Sequence, residues 1–254
     1  MRIINVKPEN AAELGIACVK NQKHEGFGKK RDWFKKRFRE GLRLQLLHDT
    51  EAASGMIEYV PAEFAWRPVH APGYMFIQCI WVYPKKNQGK DYGSSLIQTC
   101  ISDAKQARLN GVVAFASDGP WLADRRLFEN NGFKLVDSKG RFDLMVYPLK
   151  KAAKPEFVDW EKNQKKYQGL NLVYAAQCPY IAKVVEELVQ TAKANDYELK
   201  LTELKTARQA QNAPSGYGTF SLLYNGRLLE DHYISKTRFK NILTREINRF
   251  ADLR

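Results

Sequence analysis

Apolar and polar positions recur along this chain with two periods, near two and near 3.6, and these divide it into strands and helices. Arg2–Lys7 reads as a first strand, and Pro8-Glu9-Asn10 opens a helix that carries Ala11, Leu14, Ile16, Ala17 and Val19. Asn21–Gly28 reads as a loop. Lys29–Arg39 reads as an amphipathic helix with Trp33, Phe34 and Phe38 interleaved among basic residues. Leu42–His48 and Gly55–Val60 form a hairpin, and Pro61–Gly73 is an irregular link rich in aromatic and ionisable residues. Tyr74–Tyr83 is a near-continuous apolar and aromatic run, as expected of a buried central strand, and Pro84 stops it. Beyond Lys85–Ser95, residues Leu96, Ile97, Cys100, Ile101 and Ala104 return at helical spacing, and Gly111–Ser117 reads as the next strand.

The second half begins with Leu149–Lys166, a lysine-rich stretch that reads as a polar linker or an exposed helix. A domain boundary near Pro155 follows, with residues 1–150 in one domain and the linker and a smaller domain in 151–254. Leu170–Tyr174 is a strand. Ile181, Val184, Val185, Leu188, Val189 and Ala192 form a helical stripe, and Tyr197–Leu201 is another strand. Thr219–Tyr224 and Arg227–Glu230 flank Asn225-Gly226, the signal of a two-residue hairpin turn. Ser235 is placed to cap a last helix with Phe239, Ile242, Leu243, Ile247 and Phe250 inward. The fold class is therefore α/β, with a second, smaller unit of order βαβ–ββα.

Composition narrows the function classes. No apolar run has the length of a membrane span or a signal peptide, and the cysteines Cys18, Cys79, Cys100 and Cys178 are scattered rather than framed. Both features suit a reducing cytoplasm and no disulfide scaffold. No metal site is expected. The formal charge of +13 favours anionic partners. The basic stretch Lys29–Arg39 reads as a solvated helix face, because no nucleic-acid motif accompanies it, so nucleic acid is not the expected partner.

The chemistry concentrates where the Tyr74–Tyr83 strand hands over to a helix. Free backbone N–H groups and a positive dipole end at such a junction suit a phosphate. Val82-Tyr83-Pro84 followed by Gln88-Gly89-Lys90-Asp91-Tyr92-Gly93-Ser94-Ser95 resembles the acyl-CoA-binding segment of the GNAT acyltransferase superfamily. Gln88 and Gly93 match that pattern, and Asp91 stands where the family has its first glycine. Arg125–Phe133, with Asn130-Asn131-Gly132-Phe133, is similar to the family's helix end before a Gly-Phe pair. The resemblance covers roughly the first 150 residues and implies for them a mixed sheet flanked by helices.

It implies acetyl-CoA as cosubstrate and an amine as acceptor. A backbone N–H at Val82 or its neighbour Trp81 would polarise the thioester, and backbone amides from Gln88 to Ser94 would hold the pyrophosphate. The cofactor-binding set is thus Trp81, Val82, Gln88, Gly89, Lys90, Asp91, Tyr92, Gly93 and Ser94, with Phe128 at the position of the family's acidic tyrosine. Phe128 cannot donate a proton. Glu58 and Glu63 are the candidate bases, with His48 and His70 behind them. In the same picture the Lys29–Arg39 helix borders the acceptor channel and the Pro61–Gly73 link walls it. Phe128 and Asp91 also motivate an alternative, a non-catalytic CoA-binding or interaction module.

The order of elements in the second half is that of thioredoxin-like domains. Cys178-Pro179-Tyr180 looks like the Cys-Pro-Tyr-Cys of glutaredoxins, but Ile181 replaces the second cysteine. With Pro179 at the first helical position, Cys178 would sit at the cap, where the helix end makes a thiol more reactive. This gives a further alternative, a monothiol redox role for Cys178. A GNAT domain followed by such a tail, including Arg238–Leu243, is similar to YoaP-type acetyltransferases.

Overall fold

A computed structural model describes residues 1–16, 19, 21–49, 53–87 and 89–247. Two compact units share the chain. Met1–Lys23, Arg31–Ala65 and Val69–Val158 form the first; His24–Lys30, Trp66–Pro68 and the chain from Asp159 form the second.

The first unit is a mixed α/β structure on one seven-stranded sheet. Its elements are β1 (Arg2–Val6), α1 (Ala11–Leu14), α2 (Glu25–Phe38, of which the residues from Arg31 lie here), β2 (Arg43–His48) and β3 (Ala53–Pro61). Next come β4 (Val69–His70), β5 (Tyr74–Val82), α3 (Tyr92–Gln106), β6 (Gly111–Ala116), α4 (Arg125–Glu129), β7 (Lys134–Lys139), β8 (Phe142–Pro148) and β9 (Glu156–Phe157). The strand order is β1-β2-β3-β5-β6-β8-β7, antiparallel except for the parallel pair β5 and β6. Helix α3 covers one face through Leu96, Ile97, Cys100, Ile101 and Ala104, which pack on Ile57, Tyr59, Met75, Ile77, Val112 and Ala114. Phe115 lies on the other face, ringed by Phe76 at 5.5 Å, Phe142 at 6.2 Å and Phe157 at 5.0 Å.

The second unit carries β10 (Leu170–Tyr174), α5 (Ile181–Lys193), β11 (Leu199–Glu203), α6 (Ala207–Gln211), β12 (Phe220–Tyr224), β13 (Arg227–Glu230) and α7 (Lys236–Asn241). Its sheet runs β11-β10-β12-β13. β10 and β11 are parallel and joined across α5, while β12 is antiparallel to both β10 and β13. Asn225 (φ 48°) and Gly226 (φ 75°) both take the left-handed region, as the expected hairpin turn requires. Ser235 Oγ accepts the Arg238 N–H at 3.2 Å and caps α7. No described helix is long and apolar enough to cross a membrane.

Several expectations are corrected. The helix after Pro8 stops at Leu14, because Gly15 (φ 86°) turns the chain, and Ile16 pairs with Val19 in a β-bridge; Ala17 lies outside the described residues. Helix α2 begins at Glu25, inside the stretch read as a loop. Its two early glycines weaken the local signal, and tertiary packing overrides it. Lys30, read on the solvated face, is buried. The lysine-rich stretch after Leu149 holds strand β9, paired with β4, and a 3₁₀ turn at Glu161–Lys166. Helix α5 starts at Ile181 with Tyr180 as its N-cap, so Cys178 is not the cap residue; the Ile181 N–H bonds back to the Cys178 carbonyl at 3.2 Å. The last helix changes to a π-helical turn at Ile242–Ile247, and Phe250 lies outside the described residues.

Ile97 is fully buried beneath α3. Ile97→Ala is expected to lower unfolding stability by about 2–5 kcal/mol, read from the urea midpoint.

Candidate functional site

The site begins with one extra residue. In the β3–β5 ladder Glu58 faces Cys79 but Tyr59 faces Ile77, so Gln78 is the extra residue of a β-bulge. The parallel β5–β6 ladder ends at the same place. Its last pair is Ile77 with Ala114, although β5 continues to Val82 along β3 and β6 continues to Ala116 along β8. The β5–β6 ladder therefore stops short of residues 78–82. Exposure rises along them, and Trp81 is 41% exposed.

The direction of the free amides follows from the ladder. The Tyr83 N–H donates to the Ser54 carbonyl at 2.8 Å. Hydrogen-bonded and non-hydrogen-bonded pairs alternate in an antiparallel ladder. Trp81, opposite Met56, thus bonds toward β3, whereas Val82 (opposite Gly55) and Ile80 (opposite Ile57) turn their N–H groups away from β3, to the side β6 has left. Of the two expected donors, Val82 has the outward amide. Trp81 offers its ring instead, tilted at 39° against Tyr83 with centroids 4.6 Å apart.

A bend connects this edge to α3. Asn87, buried, holds it: its N–H donates to the Pro84 carbonyl at 2.8 Å and its Nδ2 to the Tyr83 carbonyl at 3.1 Å. Lys90 Nζ donates to Asn87 Oδ1 at 3.3 Å. Gly89 (φ 82°) is exposed, and a Cβ there would meet nothing within 4 Å. Asp91 takes φ 58° at the N-cap of α3. The left-handed conformation that a glycine would supply is one that Asp tolerates better than most residues. Gln88 lies outside the described residues.

The first turn of α3 is anchored from its side chains. Ser94 Oγ accepts from Asn131 Nδ2 at 3.1 Å, and that nitrogen also bonds the Leu127 carbonyl at 2.8 Å. A Cβ on Gly93 would come 3.0 Å from Leu127 Cδ1. The Tyr92 hydroxyl bonds Asp49, which raises its pKa. The side chains at Tyr92 and Ser94 are thus engaged with protein, and the helix's leading N–H groups are what it presents. Phe128 is a core residue, 1% exposed and edge-on to Phe133 at 5.4 Å.

The candidate bases separate. Ile57 and Tyr59 both face α3, so Glu58 between them faces the opposite side of the sheet, opposite Cys79 and on the face that Trp81 shares. It is fully buried. Glu63 is exposed and accepts the Gly73 N–H at 2.6 Å. His48 is buried at the end of β2, and His70 is exposed in β4. Cys178 lies in the second unit. Asn87 and Gln78 were passed over in the sequence. The available signal was a polar residue inside an apolar strand, and an asparagine directly after the strand-ending proline.

Helix α3 is tied to the sheet beneath the bend. Tyr59 donates its hydroxyl to Asp103 Oδ2 at 2.6 Å and accepts from Gln45 Nε2 at 3.2 Å. Burial, then the hydrogen bond to Asp103, pushes the Tyr59 pKa far up, and burial likewise raises the Cys100 thiol. An unfolded tyrosine ionises near pH ~10, so the folded chain keeps Tyr59 protonated above that point. Its contribution is full below about pH 10 and is lost as pH rises beyond it. Tyr59→Phe is expected to cost about 1–3 kcal/mol at pH 7 and to flatten part of the alkaline loss, measured by urea unfolding at neutral and strongly alkaline pH.

A family model described as YoaP-like matches residues 198–241. The chain is 31% identical over 251 residues to the YoaP protein of Bacillus subtilis (strain 168), described as an uncharacterized N-acetyltransferase, across 96% of this chain and 98% of that one. It is similar in structure to yncA of Salmonella typhimurium, which holds its cofactor acetyl-CoA, with TM-score 0.44 and 19% identity over 61% of this chain and 97% of that one. It is also similar to a GNAT family acetyltransferase from Brucella melitensis in complex with acetyl-CoA, with TM-score 0.36 and 16% identity over 60% of this chain and 92% of that one.

Proposed function

The chain belongs to the YoaP family, and from that premise we propose that it is a GNAT-type N-acetyltransferase that moves an acetyl group from acetyl-CoA directly to an amine. The observation that carries this reading is the row of outward amides at Ile80 and Val82, beside a strand gap that leads to the N-terminus of α3. Unpaired amides inside a sheet need a partner. An acyl-CoA supplies one: its amide-bearing arm fits along a strand edge, and its pyrophosphate suits the leading N–H groups after Gly89 and Asp91. Lys85, Lys86 and Lys90 add positive charge to the same bend.

In the reaction the amine nitrogen forms a bond to the thioester carbonyl carbon, the carbon–sulfur bond breaks, and the sulfur leaves with the electron pair. The Val82 N–H donates to the carbonyl oxygen as negative charge develops there. Glu58 takes the proton from the amine, directly or through water. Glu63 is the weaker candidate, because Gly73 already occupies its carboxylate. Phe128 serves by packing.

In this reading residues 1–150 bind acyl-CoA and carry out transfer, and 151–254 form a linker and a thioredoxin-like appendage. The parallel β10–β11 pair at one side of an otherwise antiparallel four-stranded sheet supports that description of the appendage.

Isothermal titration with acetyl-CoA tests the reading. Saturable heat is expected, and no heat together with no thermal shift at millimolar ligand removes it. Val82→Pro deletes the proposed donor without touching the β3 ladder and is expected to lower kcat by about 10²–10³-fold with little change in acetyl-CoA affinity. Glu58→Gln is expected to lower kcat by about 10²-fold or more.

A further inference from the structure

Two short stretches from the first half of the sequence, His24–Lys30 and Trp66–Pro68, are built into the second unit. Each meets a turn of that unit at a glycine. A Cβ on Gly218 (φ +80°) would lie 2.6 Å from the Trp66 carbonyl oxygen and 2.9 Å from Arg67 Cα. A Cβ on Gly26 would fall on the carbonyl of Pro179. Backbone therefore lies against backbone at both places, an approach only glycine permits.

Side chains complete both contacts. Trp66 is fully buried, and Arg67 is 3% exposed. The Arg67 guanidinium donates through Nη1 to the Tyr217 carbonyl and lies 4.6 Å over the Tyr217 ring. A buried guanidinium needs an acceptor and is well suited to an aromatic face. At the other turn the His24 ring meets Tyr180 edge-on at 5.8 Å, and the Tyr180 ring stacks with Tyr233 at 6.4 Å. His24 Nδ1 accepts the Gly26 N–H at 3.1 Å, which shapes the start of α2.

We propose that the Cys178–Tyr180 turn and the Tyr217–Gly218 turn together form a docking face whose occupant is the chain's own pair of segments, His24–Lys30 and Trp66–Pro68. The second unit then closes on its own upstream segments, a clamp within that unit, and the Cys178 turn, its thiol partly buried, is packed in cis.

The test uses the full chain and hydrogen–deuterium exchange of peptides covering the two segments. Arg67→Ala is expected to speed exchange in Trp66–Pro68 by about tenfold, and Arg67→Lys, which keeps a donor, to restore most of the protection. Gly26→Ala is expected to speed exchange in His24–Lys30 and to raise the rate of Cys178 alkylation by iodoacetamide about tenfold, with buried Cys100 unchanged as the internal control. Acetyl-CoA affinity is expected to stay within about twofold in every variant, since the bend at Gly89–Ser94 is untouched. Fast exchange of both segments in the unaltered chain would overturn the proposal. So would variants that remain folded by circular dichroism and leave exchange and alkylation unchanged. Should Arg67→Ala fail to fold, Gly26→Ala decides alone. Absence of acetyl-CoA binding in the unaltered chain strikes the acyl-transfer reading and leaves the clamp standing.

Discussion

A single extra residue in a central strand organises the first unit. Gln78 is the residue by which the β3–β5 register shifts, and the bulge it makes coincides with the point where β6 stops pairing with β5. Each strand then follows its antiparallel neighbour, β5 along β3 and β6 along β8. Those neighbours hold the two halves of the sheet in register, so the gap is a fixed feature and not frayed backbone. Because the ladder alternates, the same register decides which amides face the gap: Ile80 and Val82 do, and Trp81 does not.

The gap is useful only if the helix beyond it is rigid. Three fastenings make α3 so. Its apolar stripe is buried against the sheet, Asp103 accepts from Tyr59 on β3, and Ser94 in its first turn is bonded by Asn131 beyond α4. Each acts through side chains, which leaves the backbone amides at the helix start to be presented as a set. The bend itself is fixed by Asn87, which replaces water at the Tyr83 and Pro84 carbonyls. Pre-organised donors of this kind cost no rearrangement when charge arrives.

The second unit inverts a common expectation about appended domains. Its sheet and helices are continuous in sequence, yet it is completed by ten residues from far upstream, seven at His24–Lys30 and three at Trp66–Pro68. Burial of Trp66 and Arg67 there explains why a link that reads as irregular carries such large side chains. The same packing explains why α2 can begin across Gly26 and Gly28, where local propensity opposes a helix. It also gives Gly218 (φ +80°) a second reason to be glycine, beyond its own turn.

Hydrophobic period determined the central strand Tyr74–Val82 and the stripe of α3, and turn and cap chemistry determined the hairpin at Asn225-Gly226 and the cap at Ser235, because in each the local signal and the final packing agree. The candidate phosphate bend was legible for the same reason: a proline, two glycines and a helix start leave few conformations. What the sequence could not hold was register. That Gln78 would be the extra residue, that Val82 rather than Trp81 would turn its amide outward, and that Glu58 would share a face with Trp81 depend on pairings between strands far apart in the chain. Arg67 became buried, and Gly26 and Gly218 indispensable, only through contacts about 150 residues apart in sequence. Local chemistry specifies elements, and long-range backbone apposition decides which of their atoms are left free to act.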